Sequence, residues 1–238
     1  AGTFYREAVS KDSTYTDQAV ADLMQMARSA RARKDRFAMA TAVETALQLR
    51  PGIGVSDMAL DLARHYFQAG EYGRALPFYT KTLAEEGDSA AAGVVFEVGQ
   101  AYEEIGDCEH ALVFFERYRT MLRPWQRTEV DWHIGTCAFD LAREMLARRD
   151  RTDEDLEKAL ERVDRTLEVG EPRNIQAQAW FEKGNILSEL GDCSGAMDAY
   201  AQVRYADNAG ALVSRAQARF DEIRFGRGLE SLRGGKCR

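Results

Sequence analysis

The sequence predicts an all-α protein built from repeated helical hairpins, and three observations support this. Apolar residues recur at the three- and four-residue spacing of a helix face, as in the set Val95, Val98, Gly99 and Tyr102. A glycine followed by an acidic residue interrupts the helical pattern at a nearly constant interval. A single hairpin cannot bury its own apolar faces, so the hairpins must stack on one another and a last helix must cover the end of the array.

The repeats align on a small residue in the second helix of each hairpin. Ala75, Ala111 and Ala196 each follow a glycine and an acidic residue by five and four positions, and each precedes an aromatic residue by four positions. The spacing to Pro51 and Pro172 adds two further centres, at residues 38 and 159. Successive centres are 37, 36, 48 and 37 residues apart, which indicates five repeats with one insertion.

Each residue type in the pattern has a physical role. An alanine lets two helices cross closely, and the aromatic residue four positions later fills the space beside it. Glycine in the turn adopts a positive φ without steric cost, and the acidic residue after it can cap the next helix. Gly99 and Gly184, inside first helices, are explained by tight contact with a neighbouring helix.

In chain order, the sequence predicts an arm, five hairpins, a covering helix and a tail. The segments are an N-terminal arm at 1–15, repeats at 16–51, 55–88, 91–124, 127–172 and 174–208, a capping helix at 209–225 and a flexible basic tail at 226–238. The fourth repeat has an 11-residue insertion without a helix breaker, so both of its helices should be longer. Thr152 or Asp153 should cap the second of them. This extension is either a partner contact or a decoration of the fold.

The repeat pattern resembles that of the tetratricopeptide repeat (TPR) family. Three copies carry the family's small and aromatic positions, namely Leu62, Ala63, Tyr66, Ala75 and Tyr79; Val95, Val98, Gly99, Tyr102, Ala111, Phe115 and Pro124; and Trp180, Gly184, Ala196 and Tyr200. The fourth repeat keeps Trp132, Phe139, Ala159 and Pro172. The resemblance covers residues 16 to 210 and implies a right-handed superhelical solenoid that serves as a binding scaffold.

In this family, first-helix residues line a concave groove that holds a peptide. Carried over to this sequence, the groove positions predict a partner-binding set: Arg64, Phe67, Phe96, Gln100, Glu103, Glu104, His133, Asp140, Phe181, Asn185 and Glu189. The set is aromatic and acidic, and therefore favours a protein or peptide segment with basic and apolar side chains. The alternative for Phe96 and Phe181 is packing against the adjacent helix.

Two classes of function follow from this interpretation. The first is a non-enzymatic scaffold that binds a partner segment in its groove. The second is a structural subunit of a larger complex, including a membrane-associated or bacterial cell-envelope complex, which contacts its partners through its ends and the extension of the fourth repeat. Charge reversal at Glu103 and Glu104 would weaken binding only in the first case, and deletion of residues 144–150 only in the second.

Composition and motifs narrow the remaining possibilities. The chain has 238 residues and a formal charge of −7, which argues against nucleic-acid binding. The three histidines lack metal-ligand spacing, and no phosphate-binding loop or nucleophile motif occurs, so no catalytic site, metal or cofactor is predicted. No apolar run reaches the length of a membrane span. The basic residues Arg28, Arg31, Arg33, Lys34 and Arg36 form either a solvated turn or a docking patch for an acidic partner or a lipid headgroup.

The four cysteines leave two alternatives open. Pairing of Cys108 with Cys137 and of Cys193 with Cys237 is sterically conceivable, and an even number of cysteines suits an oxidising compartment. The other alternative is four free, partly buried thiols. The chain begins Ala1-Gly2 without methionine, as expected of a processed form or of a chain lacking a targeting segment. Association with a membrane would then occur through a partner or through the removed N-terminal segment. Together these features favour the periplasm or cell envelope over the cytoplasm.

Overall fold

The computed structural model describes residues 2–207, 210–225 and 237, and it is helical throughout, with no strand among these residues. The chain divides into two compact units, residues 1–106 and 107–238. The division falls at the turn of the third predicted hairpin. The predicted all-α class is therefore confirmed, and each unit is described separately.

The first unit contains six of the α-helices in the described residues. They are α1 (Gly2–Lys11), α2 (Thr16–Ala32), α3 (Arg36–Leu49), α4 (Ala59–Gln68), α5 (Tyr72–Glu86) and α6 (Ala92–Glu104). Helices α2 and α3 form one hairpin and α4 and α5 the next, while α6 packs on α5. Helix α1 occupies the segment predicted as an arm and packs against α2 and α3.

The second unit contains the other six α-helices of the described residues. They are α7 (Cys108–Met121), α8 (Thr128–Ala147), α9 (Asp153–Val169), α10 (Gln176–Leu190), α11 (Cys193–Ala206) and α12 (Val213–Phe225). Helices α8 and α9 form a hairpin, as do α10 and α11. Helix α12 packs on α11 and buries Ala216 and Ile223 there. The predicted tail falls outside the described residues except for Cys237.

The turns between paired helices follow the predicted chemistry. Gly70, Gly106 and Gly191 all have positive φ, at 73°, 79° and 94°. Asp107 and Asp192 then accept hydrogen bonds from backbone N–H groups three residues on, and so cap α7 and α11. The longer Glu71 side chain does not cap α5, and it binds Arg74 instead.

The small centres of the hairpins lie in the core. Ala75, Ala111, Ala159 and Ala196 are fully buried. The centre predicted at Ala38 is displaced by one residue, because α3 begins at Arg36 and its fourth residue, the buried Met39, takes the place that alanine has in α5, α7 and α11.

Gly184 shows why a small residue is needed inside a first helix. A Cβ atom there would lie 2.5 Å from the ring of Tyr200, which packs across the helix. The Tyr200 hydroxyl donates to Asn185 at 2.8 Å, and burial raises the pKa of this phenol well above its usual value. The tight contact predicted at Gly184 is present.

The structure joins the cysteines in the pairs Cys108–Cys137 and Cys193–Cys237. The first disulfide connects the start of α7 to the middle of α8, with the Cα atoms 5.1 Å apart. The second connects the start of α11 to Cys237, which is fully buried among residues of α10, α11 and α12. Of the two alternatives left by the sequence, the structure has the paired one.

Candidate partner-binding surfaces

The predicted groove residues are divided between the two units. Arg64, Phe67, Phe96, Gln100, Glu103 and Glu104 lie on α4 and α6 of the first unit. His133, Asp140, Phe181, Asn185 and Glu189 lie on α8 and α10 of the second.

In the first unit, Arg64 belongs to an internal polar network. Its Nε donates to Glu97 on α6 at 3.0 Å, and the Tyr79 hydroxyl donates to the same carboxylate oxygen at 2.9 Å. The hydrogen bond to Glu97 raises the pKa of the Arg64 guanidinium, and burial raises the pKa of Tyr79. This network ties α4, α5 and α6 together, so it has a structural role.

The other groove residues of the first unit differ in exposure. Phe67 is half-buried and packs edge-on against Tyr72 and Tyr79, with ring centroids 5.3 and 6.2 Å away. Phe96, Gln100 and Glu103 are half-buried, and Glu104 is exposed at the end of α6. Glu104 is thus the most accessible carboxylate of this set.

In the second unit, most predicted groove residues are engaged within the chain. His133 stacks on Phe115 with centroids 4.8 Å apart. Phe181 is only 5% exposed and lies in the core with residues of α11 and α12. It therefore packs against adjacent helices, as the alternative prediction had it, and is not an exposed side chain available to a partner. Asn185 accepts from Tyr200 and donates to Glu182. Asp140 is exposed, with Arg143 3.8 Å away.

The extension of the fourth repeat is held by contacts at its turn, between α8 and α9. Helix α8 has 20 residues and α9 has 17, so both are long. The Thr152 side chain accepts a hydrogen bond from the Asp155 N–H and so caps α9, and the Asp155 carboxylate accepts one from the Thr152 N–H. Arg151 then contacts both carboxylate oxygens of Glu189 on α10, at 2.7 and 2.8 Å. Glu189 therefore anchors the extension, which is a different role from the predicted groove contact.

A surface groove that was not predicted from the repeat pattern lies on α9, α10 and α11. We name it the Trp180 groove and define it by Asp164, Trp180, Lys183, Asp192, Asp198, Gln202 and Tyr205. Its first cavity has a volume of about 390 Å³ and is bounded by apolar atoms of Leu160, Leu187 and Ala199. Three carboxylates and one ammonium group lie around it, so the cavity is acidic.

The carboxylates of the first cavity are not equivalent. Asp164 pairs with Lys183 at 2.6 Å, and the Lys183 ammonium lies 5.5 Å from the centre of the Trp180 ring. Asp192 is occupied in capping α11. Asp198 is exposed and makes no hydrogen bond or ion pair with any residue that the structure describes. Asp198 is therefore the carboxylate available to a ligand.

A second cavity of about 350 Å³ adjoins the first. It is bounded by Arg173, Gln176, Trp180, Gln202, Tyr205 and Ala206. Trp180 and Gln202 border both cavities, and Tyr205 is 68% exposed. The second cavity offers aromatic surface, two side-chain amides and the guanidinium group of Arg173, whereas the first offers negative charge.

The sequence carried a signal for only half of this groove. Asp198, Gln202 and Tyr205 follow one another at spacings of four and three residues, so they share a face of α11. The opposite face buries Tyr200 and Val203. The juxtaposition of that stripe with Trp180 on α10 depends on helix packing, which the residue spacing does not reveal.

The structure supplies no metal site or membrane span among the residues it describes. No group of three or more histidine, cysteine, aspartate or glutamate side chains is positioned to hold a metal ion in that part of the chain. Within the same residues, no helix combines the length and the apolar character that crossing a membrane requires.

No protein-family model and no curated protein matches the sequence. Among solved structures, a TPR-repeat protein from Bacteroides fragilis aligns with a TM-score of 0.51 and 10% identity, over 86% of this chain and 98% of that one. The pilF protein of Pseudomonas aeruginosa aligns with a TM-score of 0.39 and 18% identity, over 89% of this chain and 87% of that one. YrrB, described as a TPR protein with an unusual peptide-binding site, aligns with a TM-score of 0.40 and 15% identity, over 92% of this chain and 100% of that one.

These similarities concern the fold. The Bacteroides fragilis structure shares the arrangement of helices despite its low identity, and the two TM-scores near 0.4 support no further comparison. The helical hairpins, their glycine turns and this structural match agree with the resemblance seen in the sequence. The chain is an all-α protein with a TPR-like fold.

Proposed function

We propose that this protein is a non-enzymatic interaction scaffold whose Trp180 groove binds a partner segment that carries a basic side chain next to an apolar one. A TPR-like fold is a general protein-interaction scaffold, so the question that remains is what it binds and where. The observation that carries the proposal is the exposed Asp198 in an acidic cavity that shares Trp180 with an adjoining aromatic cavity.

The chemistry of the two cavities defines the partner. A lysine or arginine side chain in the first cavity would meet Asp198 and approach the face of Trp180, as the chain's own Lys183 does. The next outward residue of an extended segment would then reach Tyr205 in the second cavity. Gln202 lies between the two and can hydrogen-bond to the segment's backbone.

A random dodecapeptide library selected on the full chain tests this proposal. We expect the selected peptides to share lysine or arginine next to a large apolar residue. Asp198→Lys should lower the affinity for the consensus peptide by about tenfold or more, because one charge-assisted contact becomes a repulsion. Fluorescence anisotropy with the labelled consensus peptide measures the affinity.

Asp140→Lys is the matched control, because Asp140 is also an exposed aspartate on a helix of the second unit and was predicted to line the groove. We expect it to change the affinity by less than twofold. Selection of acidic or charge-free peptides would contradict the proposal. So would loss of binding in Asp140→Lys with normal binding in Asp198→Lys.

A further inference from the structure

The turn between α2 and α3 differs from the other hairpin turns of similar geometry. In the turns before α5, α7 and α11, the residue with positive φ is glycine, and an acidic residue follows it. At the turn before α3 the same place is taken by Lys34, with φ of 59°, and Asp35 follows. Lysine is less favourable than glycine in the left-handed region, so the turn itself does not account for the lysine at this position.

Lys34 borders a concave site in the first unit, which we name the Lys34 cavity. Its volume is about 470 Å³, and it is bounded by Arg31, Lys34, Arg36, Met39 and Asp61. Met39 is fully buried and supplies an apolar wall. The other four residues are charged, three of them positively.

The cations of the Lys34 cavity have hydrogen-bond donors that are not used within the cavity wall. Arg31 donates a hydrogen bond from Nε to the Asp61 carboxylate at 2.6 Å. Arg36 donates one from a terminal nitrogen to the Gln68 side-chain oxygen at 2.8 Å. A guanidinium has five N–H donors, so both arginines are held in place with further donors to offer. Lys34 makes no side-chain hydrogen bond or ion pair with the described residues.

Charge balance identifies the ligand as an anion. Three cations and one carboxylate give the cavity wall a net charge of about +2, although the whole chain carries −7. Positioned arginines and a free ammonium favour carboxylate or phosphate oxygens. The exposed Phe37, the second residue of α3, directly follows the cavity residue Arg36 in the chain and offers an apolar contact.

We propose that the Lys34 cavity is a second docking site, which takes side-chain carboxylates of an acidic protein segment with an apolar residue at Phe37. A membrane presents a broad surface, whereas this site is recessed around Met39 and fits an inserted side chain. The proposal uses residues of the first unit only. It does not depend on the Trp180 groove, which belongs to the second unit and has the opposite charge.

The test uses the full chain and a labelled dodecapeptide containing glutamate and two leucines, with a second peptide in which glutamine replaces every glutamate. We expect saturable binding of the acidic peptide alone. Lys34→Gly should lower its affinity about tenfold, because a charged contact is lost. The same variant should unfold at an equal or higher temperature, because glycine relaxes the turn, so loss of binding cannot be ascribed to loss of folding.

Arg33→Gln is the matched control, since Arg33 is the adjacent cation and does not border the cavity. It should change the affinity by less than twofold, and Asp198→Lys should leave this binding intact even if the Trp180 groove proves inactive. The proposal is overturned by absence of saturable peptide binding, by equal losses in Lys34→Gly and Arg33→Gln, or by Lys34-dependent binding to phosphatidylglycerol vesicles without binding to the peptide.

Discussion

Replacing Gly135 by alanine is expected to lower the free energy of unfolding by about 3 kcal/mol, at the upper end of the cost of overpacking. Gly135 lies in α8 against the loop between α9 and α10. A Cβ atom at this position would overlap the carbonyl oxygen of Glu171 and lie 2.8 Å from its carbonyl carbon. Both are backbone atoms, so no rotamer change relieves the clash.

The neighbourhood of Gly135 is also fixed from a second side. Thr166 on α9 is fully buried, and its hydroxyl donates to the Gly135 carbonyl at 3.2 Å. Relieving the clash therefore requires α8 to move away from both α9 and the loop, which would break a buried hydrogen bond. Urea unfolding followed by circular dichroism measures the loss.

Gly93→Ala provides the control for this substitution. Gly93 lies in the first turn of α6, its φ is not positive, and a Cβ atom there meets nothing within 4 Å. Alanine should be tolerated at this position or stabilise the helix by up to about 1 kcal/mol. Equal stability of the Gly135→Ala and wild-type proteins would show that α8 does not pack on the Glu171 loop as described.

The Cys108–Cys137 disulfide is expected to contribute about 3 kcal/mol to stability. It closes a loop of 29 residues, and cross-linking a loop of that length restricts the unfolded chain by an amount of this order. The double variant Cys108→Ser, Cys137→Ser should lose this stability in urea unfolding. Adding a reductant should lower the stability of the wild-type protein by more than it lowers the stability of this variant. The reason is that the wild type loses two disulfides on reduction, whereas the variant loses only Cys193–Cys237.

Thiol alkylation under denaturing, non-reducing conditions provides the control. The wild-type chain should incorporate no label before reduction and four labels after it, since its four cysteines are paired. Incorporation of four labels before reduction, together with unchanged stability of the double variant, would contradict the role given to the disulfide.

The hairpins were predictable because their signals are local. A glycine and an acidic residue shortly before a buried alanine mark the turn and the start of the next helix, as at Gly191 and Ala196. The first hairpin was misaligned by one residue because Lys34 replaces the turn glycine, and the spacing from Pro51 did not reveal this. A lysine in the left-handed region gives no signal in a hydrophobic pattern.

The binding surfaces were less predictable because they depend on which helix covers which side chain. Phe181 lies on a first helix, where the family pattern predicts a groove residue, yet it is buried with residues of α11 and α12. Glu189 was predicted to meet a partner, but Arg151 in the turn of the extension binds it. Positions within a repeat predict faces of a helix, whereas exposure depends on the neighbours.

If the Trp180 groove receives the partner, binding must change the environment of the Trp180 indole, and the indole N–H signals of the protein report this directly. The chain has three tryptophans, so a ¹H–¹⁵N spectrum shows three indole signals, which single Trp→Phe variants assign. On titration with the library consensus peptide, the account predicts a saturable shift of the Trp180 signal and constant Trp125 and Trp132 signals. A shift of Trp125 or Trp132 with an unchanged Trp180 signal would contradict it.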